Sequence, residues 1–150
     1  MPQRASWSTQ QLAELLALVS SFDTVAHALE RGLERVSEAL EAEFCAIIRG
    51  GQVEASCGFA ADDVPVDELL AIASGESQTL TWSGLEAHGT VSVPLEDGGD
   101  GRLVLARVDG EFTPDEMHLV RGMARVLTLS SQLLATLETE RGVSASLSIS

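Results

Sequence analysis

The chain has 150 residues, enough for one domain with its own core, and its formal net charge is −14. This charge argues against a nucleic acid or an anionic membrane as partner, because both are held by basic patches. No apolar run approaches the roughly 20 residues that cross a bilayer, and the opening MPQRASW is not a signal peptide. The two cysteines, Cys45 and Cys57, are therefore expected to be reduced thiols in a cytoplasmic protein.

Two helices are predicted at the start of the chain. Residues 8–19 carry leucines at helical spacing and form a candidate dimerisation helix within an N-terminal segment, 1–19. Asp23 is expected to cap a second helix over about 24–42. That helix has one apolar face, formed by Val25, Leu29, Leu33, Val36 and Leu40.

The middle of the chain has the pattern of short strands. FCAII (44–48) and VEASCGF (53–59) flank Gly50-Gly51, which predicts a hairpin. A short helix is expected at 66–73. Further strands are expected at 77–82, 89–95 and 101–108, the last two joined by the acidic loop EDGGDG.

A long helix is predicted from residue 114 to 141. Thr113 and Glu116 have the spacing of a capping box, Pro114 occupies the first helical position, and Phe112 and Met117 fit a hydrophobic staple. The remaining residues, 142–150, are small and polar, and are expected to form a flexible tail or a truncated linker.

This order of elements predicts an α+β fold. The strands form hairpins, so the central sheet is mostly antiparallel, and helices from both ends of the chain can share one of its faces. Loops and the helix at 66–73 are available to cover the other face. A concavity between the sheet and these loops is where a small ligand is expected.

The element order together with AEFCAIIRGGQVEASCGF, VSVPLEDGGDGRLVLAR and FTPDEMHLVRGMARVLTLSSQLLATLETE resembles the GAF domain family over about residues 20–141. The resemblance implies a sensory or regulatory module of the kind found in bacterial signalling proteins. Such modules bind small molecules or nothing known, and often dimerise through terminal helices. It also implies a partner in the form of a downstream output domain or protein.

The known ligands of the family fit this sequence poorly. The cyclic nucleotide pattern needs an Asn and a Lys, and the chain contains neither. Bilin attachment usually uses a Cys followed by His, whereas Ala46 and Gly58 follow the two cysteines here. His88 lies just before the Val-Pro strand, where the resemblance places a haem ligand, but an exposed loop histidine is the commoner case. The cofactor stays unknown, and the acidic loop lacks the spacing of a calcium site.

The expected pocket lies on the sheet face opposite the terminal helices and suits a small apolar ligand. Its lining would come from alternating strand residues, with Leu69, Leu70 and Trp82 as lid candidates. The strand candidates are Cys45, Ile47, Ala55, Cys57, Val91 and Val93.

The terminal helix is apolar on two sides, so one side can pack on the sheet while the other needs a partner. A heptad-like seam predicts a homodimer, against the alternative of a wholly buried core helix. The dimer candidates are Leu12, Leu15, Leu16, Val120, Met123, Leu127, Leu134 and Leu137. Gly32 and Gly122 are expected at helix crossings, where a Cβ would clash.

We therefore expect a small-molecule sensory module with neither a catalytic residue nor a metal site. One alternative is a ligand-free dimerisation or interaction module. The other is a free methionine sulfoxide reductase, which resembles this family and would use the two cysteines. Counted from Gly50-Gly51, the cysteines are near each other but not directly opposite, and the Trp- and Gly-rich cysteine segment of those enzymes is missing.

Overall fold

The fold consists of helices packed on a four-stranded antiparallel sheet, as expected for an α+β protein. The structure, a computed structural model, describes residues 2–21, 24–59, 63–82, 84–95, 100–108 and 110–149, without the side chains at 2–6, 82, 85, 138 and 141–149. The elements in chain order are α1 (Pro2–Ser20), α2 (Val25–Leu40), β1 (Phe44–Arg49), β2 (Gln52–Cys57), α3 (Val66–Ser74), β3 (Leu80–Trp82), β4 (Leu85–Ala87), β5 (Gly89–Pro94), β6 (Arg102–Arg107) and α4 (Pro114–Ile149).

The starts of the helices follow from local sequence. At α4 the capping box is confirmed: Glu116 N donates to Thr113 Oγ1 at 3.2 Å, and Thr113 N donates to Glu116 Oε1 at 2.9 Å. At α2 the cap is Thr24, whose Oγ1 accepts from His27 N at 3.3 Å. The predicted cap, Asp23, lies outside the described residues.

The sheet has the order β2-β1-β6-β5, and every neighbouring pair is antiparallel. Strands β1 and β6 occupy the centre and are apolar on both faces, as their sequences predict. Strands β3 and β4 form a separate two-stranded ladder, and β4 was missed because three residues carry too little periodic signal.

The two faces of the sheet carry separate hydrophobic clusters. The helix face packs against α1, α2 and α4, with Leu33, Leu105 and Met123 among its fully buried side chains. The opposite face packs against α3, with Leu69 and Leu80 at its centre. Helices from both ends of the chain therefore share one face, and α3 covers the other.

Both predicted glycines lie at close contacts between helices of the same subunit: Gly32 of α2 faces α1 and α4, and Gly122 of α4 faces α1. A Cβ on Gly32 would lie 2.6 Å from Leu127 Cδ2 and 3.1 Å from Val19 Cγ1, and a Cβ on Gly122 would lie 3.0 Å from Leu12 Cδ2. Because Leu12 lies over Gly122 and Val19 lies near the level of Leu127, α1 and α4 run parallel. Helix α1 ends at Ser20, near that level, whereas α4 continues to Ile149 and not to Arg141 as predicted. The helix thus takes up most of the segment that was expected to be a flexible tail.

Candidate functional site

The predicted pocket residues fall on both faces of the sheet and do not surround one cavity. Cys45, Ile47, Val91 and Val93 point into the helix-face cluster, where they are buried against the terminal helices. The side chains of β1 that point to the opposite face are Phe44, Ala46 and Ile48. The alternation along a strand indicates which residues share a face, but it does not indicate which face meets the helices. The assignment of Cys45, Ile47, Val91 and Val93 to the loop face is therefore wrong.

A β-bulge in β2 explains a second difference. Ile47 pairs with Ala55 while its neighbour Ile48 pairs with Val53, so Glu54 is an extra residue in the ladder. The bulge places Ala55 on the helix face and Val53 on the other, although strict alternation would put both on one face. The extra residue also compensates for the one-residue difference between the distances of Cys45 and Cys57 from the turn. Cys45 and Cys57 therefore lie directly opposite each other, contrary to the expectation.

The two thiols are free, and their surroundings disfavour the thiolate form of each. Burial raises the pKa of Cys45 strongly, and the neighbouring Cys57 adds to the rise. Burial is also the main cause that raises the pKa of Cys57, and the carboxylates of Glu34 and Glu38 add to it. The hydroxyl of Ser37 opposes the rise at both thiols. Because the thiolate is the nucleophile, this environment suits packing better than catalysis.

The face opposite the terminal helices is filled by side chains where the pocket was expected. Leu69 and Ile72 of α3 pack against Phe44, Ala46 and Ile48, and each of these is at most 4% exposed. Leu70 is partly buried against the same cluster. The side chain of Trp82, the third lid candidate, lies outside the described residues. The central part of this face, as far as the structure describes it, leaves no room for a ligand.

A groove of about 860 Å³ lies instead along the outer strand of the sheet. We call it the β2 edge groove. It is lined by every residue from 53 to 59, by Val64 and Val66, and by five residues of α2, namely Val25, Ala26, Leu29, Glu30 and Glu34. Of the predicted pocket residues it includes Ala55 and Cys57. The other lining residues were not predicted, because the end position of a strand in its sheet has no signature in the sequence.

The predicted dimer candidates divide into buried and exposed residues. Leu15, Val120, Met123 and Leu127 are at most 1% exposed and fill the subunit's own core, so their assignment to a dimer seam is corrected. Leu12 packs over Gly122, and Leu134 is 8% exposed. Only Leu16 and Leu137 among the candidates present large exposed apolar surface.

A strip of exposed leucines on α4 lies beside the predicted seam. Leu129, Leu133 and Leu137 are 57%, 62% and 36% exposed, and they follow each other at intervals of four residues. The strip continues the face of α4 that contains Gly122 and that α1 covers in the first half of the helix. Leu129 and Leu133 are not among the predicted dimer candidates, although their spacing is visible in the sequence.

The start of α4 is tied to the sheet by Arg107. This residue is 8% exposed, and its guanidinium donates to both carboxylate oxygens of Glu116, at 2.7 and 3.0 Å. It also donates to the carbonyl oxygens of Leu40, Gly110 and Glu111 at 2.6–2.9 Å and stacks over the Phe112 ring. These bonds join β6, the end of α2 and the first turn of α4. Sequence analysis did not single out Arg107, because the sequence alone does not distinguish a buried arginine in a strand from an exposed one.

Histidine and acidic residues do not gather into a metal-binding group in the described part of the chain. His88 is exposed, with Nε2 3.4 Å from Glu86 Oε1 and Nδ1 3.5 Å from Thr79 Oγ1. The described residues contain no group of three His, Cys, Asp or Glu side chains that could hold a metal ion. Among the described helices, none is long and apolar enough to cross a membrane.

Comparison with known proteins gives a similarity of fold. No family model and no curated protein matches the chain. Among solved structures, the GAF domain of a phosphoenolpyruvate-protein phosphotransferase from Coxiella burnetii is similar, with a TM-score of 0.68 and 15% identity over 90% of this chain and 98% of that one.

Two further GAF domains are similar at comparable identity. One comes from an Acinetobacter phosphoenolpyruvate-protein phosphotransferase, with a TM-score of 0.59 and 15% identity over 87% of this chain and 94% of that one. The other belongs to a protein of Pseudomonas syringae pv. tomato described as a sensor histidine kinase, with a TM-score of 0.58 and 18% identity over 96% of this chain and 95% of that one. The order of strands, the shared helix face and these three matches together show that the chain has the fold of a GAF domain.

Proposed function

We propose that this chain is a regulatory GAF module of bacterial signal transduction that works in the cytoplasm as a homodimer and passes a signal along α4 to an output domain or protein. The proposal assigns no catalytic step to the domain. Similar GAF domains come from phosphotransferases and from a protein described as a sensor histidine kinase, which supports a regulatory role.

The observation that carries the proposal is the strip of Leu129, Leu133 and Leu137. Burying a fully exposed leucine contributes about 1.5–3 kcal/mol, and two copies of the strip would bury six leucines that are about half exposed, each contributing about half of that value. Association costs on the order of 4–15 kcal/mol, so the strip supplies a large part of the free energy that a stable dimer needs. Leu16 on the neighbouring α1, which is 51% exposed, can add to it.

The filled face of the sheet favours an interaction module over a small-molecule sensor. A small apolar ligand was expected between the sheet and α3, and that space is occupied by Phe44, Ile48, Leu69 and Ile72. The thiol environment disfavours the second alternative, the methionine sulfoxide reductase, since burial raises the pKa of both Cys45 and Cys57.

The proposal is tested with a variant that carries Leu129→Glu and Leu133→Glu. We expect sedimentation velocity to show a dimer for the unaltered chain and a monomer for the variant, with an unchanged circular dichroism spectrum, because both side chains are exposed within the subunit. Ala135→Glu is the matched control, since this residue is exposed on the same helix but lies outside the strip. A monomeric unaltered chain, or a variant that stays dimeric, would overturn the proposal.

A further inference from the structure

The β2 edge groove follows the outer edge of a strand and not one face of the sheet. A pocket on one face is lined by alternate residues of a strand, because successive side chains point to opposite faces. This groove is lined by all seven consecutive residues, 53–59. The backbone of β2 therefore forms its floor over residues 53–57, about 16 Å at roughly 3.3 Å per residue, and residues 58 and 59 continue it beyond the strand.

Strand β2 is the end strand of the sheet. Within the described part of the chain, β2 pairs with β1 alone. An outer strand edge presents N–H and C=O groups that can pair with an added strand, which is a recurring mode of peptide recognition.

The walls of the groove offer apolar contacts on both sides of such a strand. Val25 and Leu29 of α2 line one side, and Val64 and Val66 line the other. Val66 is 40% exposed, so part of this apolar surface faces solvent in the free subunit. Successive side chains of an extended segment point to opposite sides of the strand, so one alternate set would reach the wall of Val64 and Val66 and the other set the wall formed by α2.

The charged side chains of the groove select for a basic segment. Glu30, Glu34 and Glu54 line it, and none of the described lining residues is a Lys, Arg or His. Arg31 and Arg49 pair with Glu34 and Glu54 from outside the groove, at 2.9 and 2.8 Å. Both pairs are exposed, so they contribute little and can exchange for other partners. A second copy of the chain is a poor occupant, because it would bring the same carboxylates together.

We propose that the β2 edge groove binds an extended segment of another polypeptide chain that combines apolar with basic side chains, by adding a strand to β2. The groove contains no residue of α1 or α4. This interaction is therefore separate from the proposed dimer, and either proposal can fail without the other.

The probe is a seven-residue peptide that alternates valine with arginine, titrated by calorimetry at 0.15 M salt. Two comparison peptides separate the contributions. One has methyl groups on alternate backbone nitrogens, which keeps the side chains but removes the donors of an added strand. The other has the same composition with its valines and arginines in two blocks. We expect saturable binding of the first peptide and at least tenfold weaker binding of the other two.

Protein variants test whether the peptide binds in the groove. Glu30→Gln with Glu34→Gln is expected to weaken binding about fivefold, since each exposed charge pair is worth about 0.2–1 kcal/mol. Glu68→Gln with Glu140→Gln is the matched control, because both residues are exposed and neither lines the groove. Bound peptide should also slow the alkylation of Cys57, which lines the groove. Equal binding of the three peptides, an equal loss in both variants, or unprotected Cys57 would each overturn the proposal, as would an absence of binding.

Discussion

Replacing Arg107 with methionine is the most informative test of how α4 is joined to the sheet. The guanidinium has five N–H donors, and five hydrogen bonds at 2.6–3.0 Å use them. The Arg107 and Glu116 side chains are only 10% and 20% exposed, so water replaces few of these bonds. The substitution removes the positive charge beside the partly buried carboxylate of Glu116. It also removes the Arg107 donors from the three carbonyl oxygens of Leu40, Gly110 and Glu111.

The expected loss follows from the partly buried charge. Removing one partner of a buried pair costs about 3–5 kcal/mol, out of a total stability of about 5–15 kcal/mol for a domain. With a urea slope of about 2 kcal/mol/M, the unfolding midpoint should fall by about 2 M. Circular dichroism during urea titration measures it.

Two further variants separate this junction from a general effect of charge. Arg31→Met removes an arginine that is 60% exposed, so we expect a change within about 0.5 kcal/mol. Combining Arg107→Met with Glu116→Gln should cost less than the sum of the single losses, because the second change removes the charge that the first leaves unpaired. A loss below about 1 kcal/mol for Arg107→Met would refute the reasoning, and so would strict additivity.

Other predictions follow from the same contacts. The Arg107 side chain is the main cause that lowers the pKa of Glu116, so this carboxylate stabilises the fold above its unfolded value near 4.5, and that contribution is lost as pH falls below it; urea titrations of the unaltered chain and of Glu116→Gln should differ by a constant amount above about pH 5 and converge in acid. Gly32→Ala should cost about 1–3 kcal/mol, because its Cβ would meet the buried Leu127, whereas Gly122→Ala should be near neutral, because the half-buried Leu12 can move; equal thermal melting of the two variants would contradict this. Gly122→Leu should displace Leu12 and weaken the packing of α1 on α4 despite the better helix propensity of leucine, and an unchanged melting temperature would show that the glycine is merely tolerated. Cys57→Ala should remove no enzymatic activity, because the proposal assigns none to the domain. Thiol-dependent reduction of methionine sulfoxide by the unaltered chain would contradict this non-enzymatic role.

The parts of the fold that local sequence determines were predictable. The capping box of Thr113 and Glu116 and the hairpin at Gly50-Gly51 depend on residues that are close in sequence, and both are confirmed. The two glycines at helix crossings were predictable for a related reason, since a glycine inside a helix is unfavourable unless a close approach requires it. The N-cap of α2 differs by one residue, from Asp23 to Thr24, because both side chains can cap a helix.

The candidate site depended on information that the sequence does not carry. The bulge at Glu54 has no sequence signature, yet it moves Val53 to the other face and brings Cys45 opposite Cys57. The terminal helix has apolar residues on two sides, and only the packed structure decides which side meets the sheet. Val120 is on the buried side and Leu133 on the exposed one, whereas the heptad pattern had favoured the opposite assignment.

The most direct test of the proposed dimer is oxidative cross-linking through single cysteines introduced on α4. In a twofold parallel pair of helices, identical residues of the seam face each other across the axis. Leu133→Cys should therefore form an intermolecular disulfide and run at twice the 15.9 kDa of the chain, whereas Ala135→Cys, on the same helix but outside the strip, should stay monomeric under the same oxidant. Efficient cross-linking at residue 135 and none at residue 133 would contradict a dimer through the leucine strip.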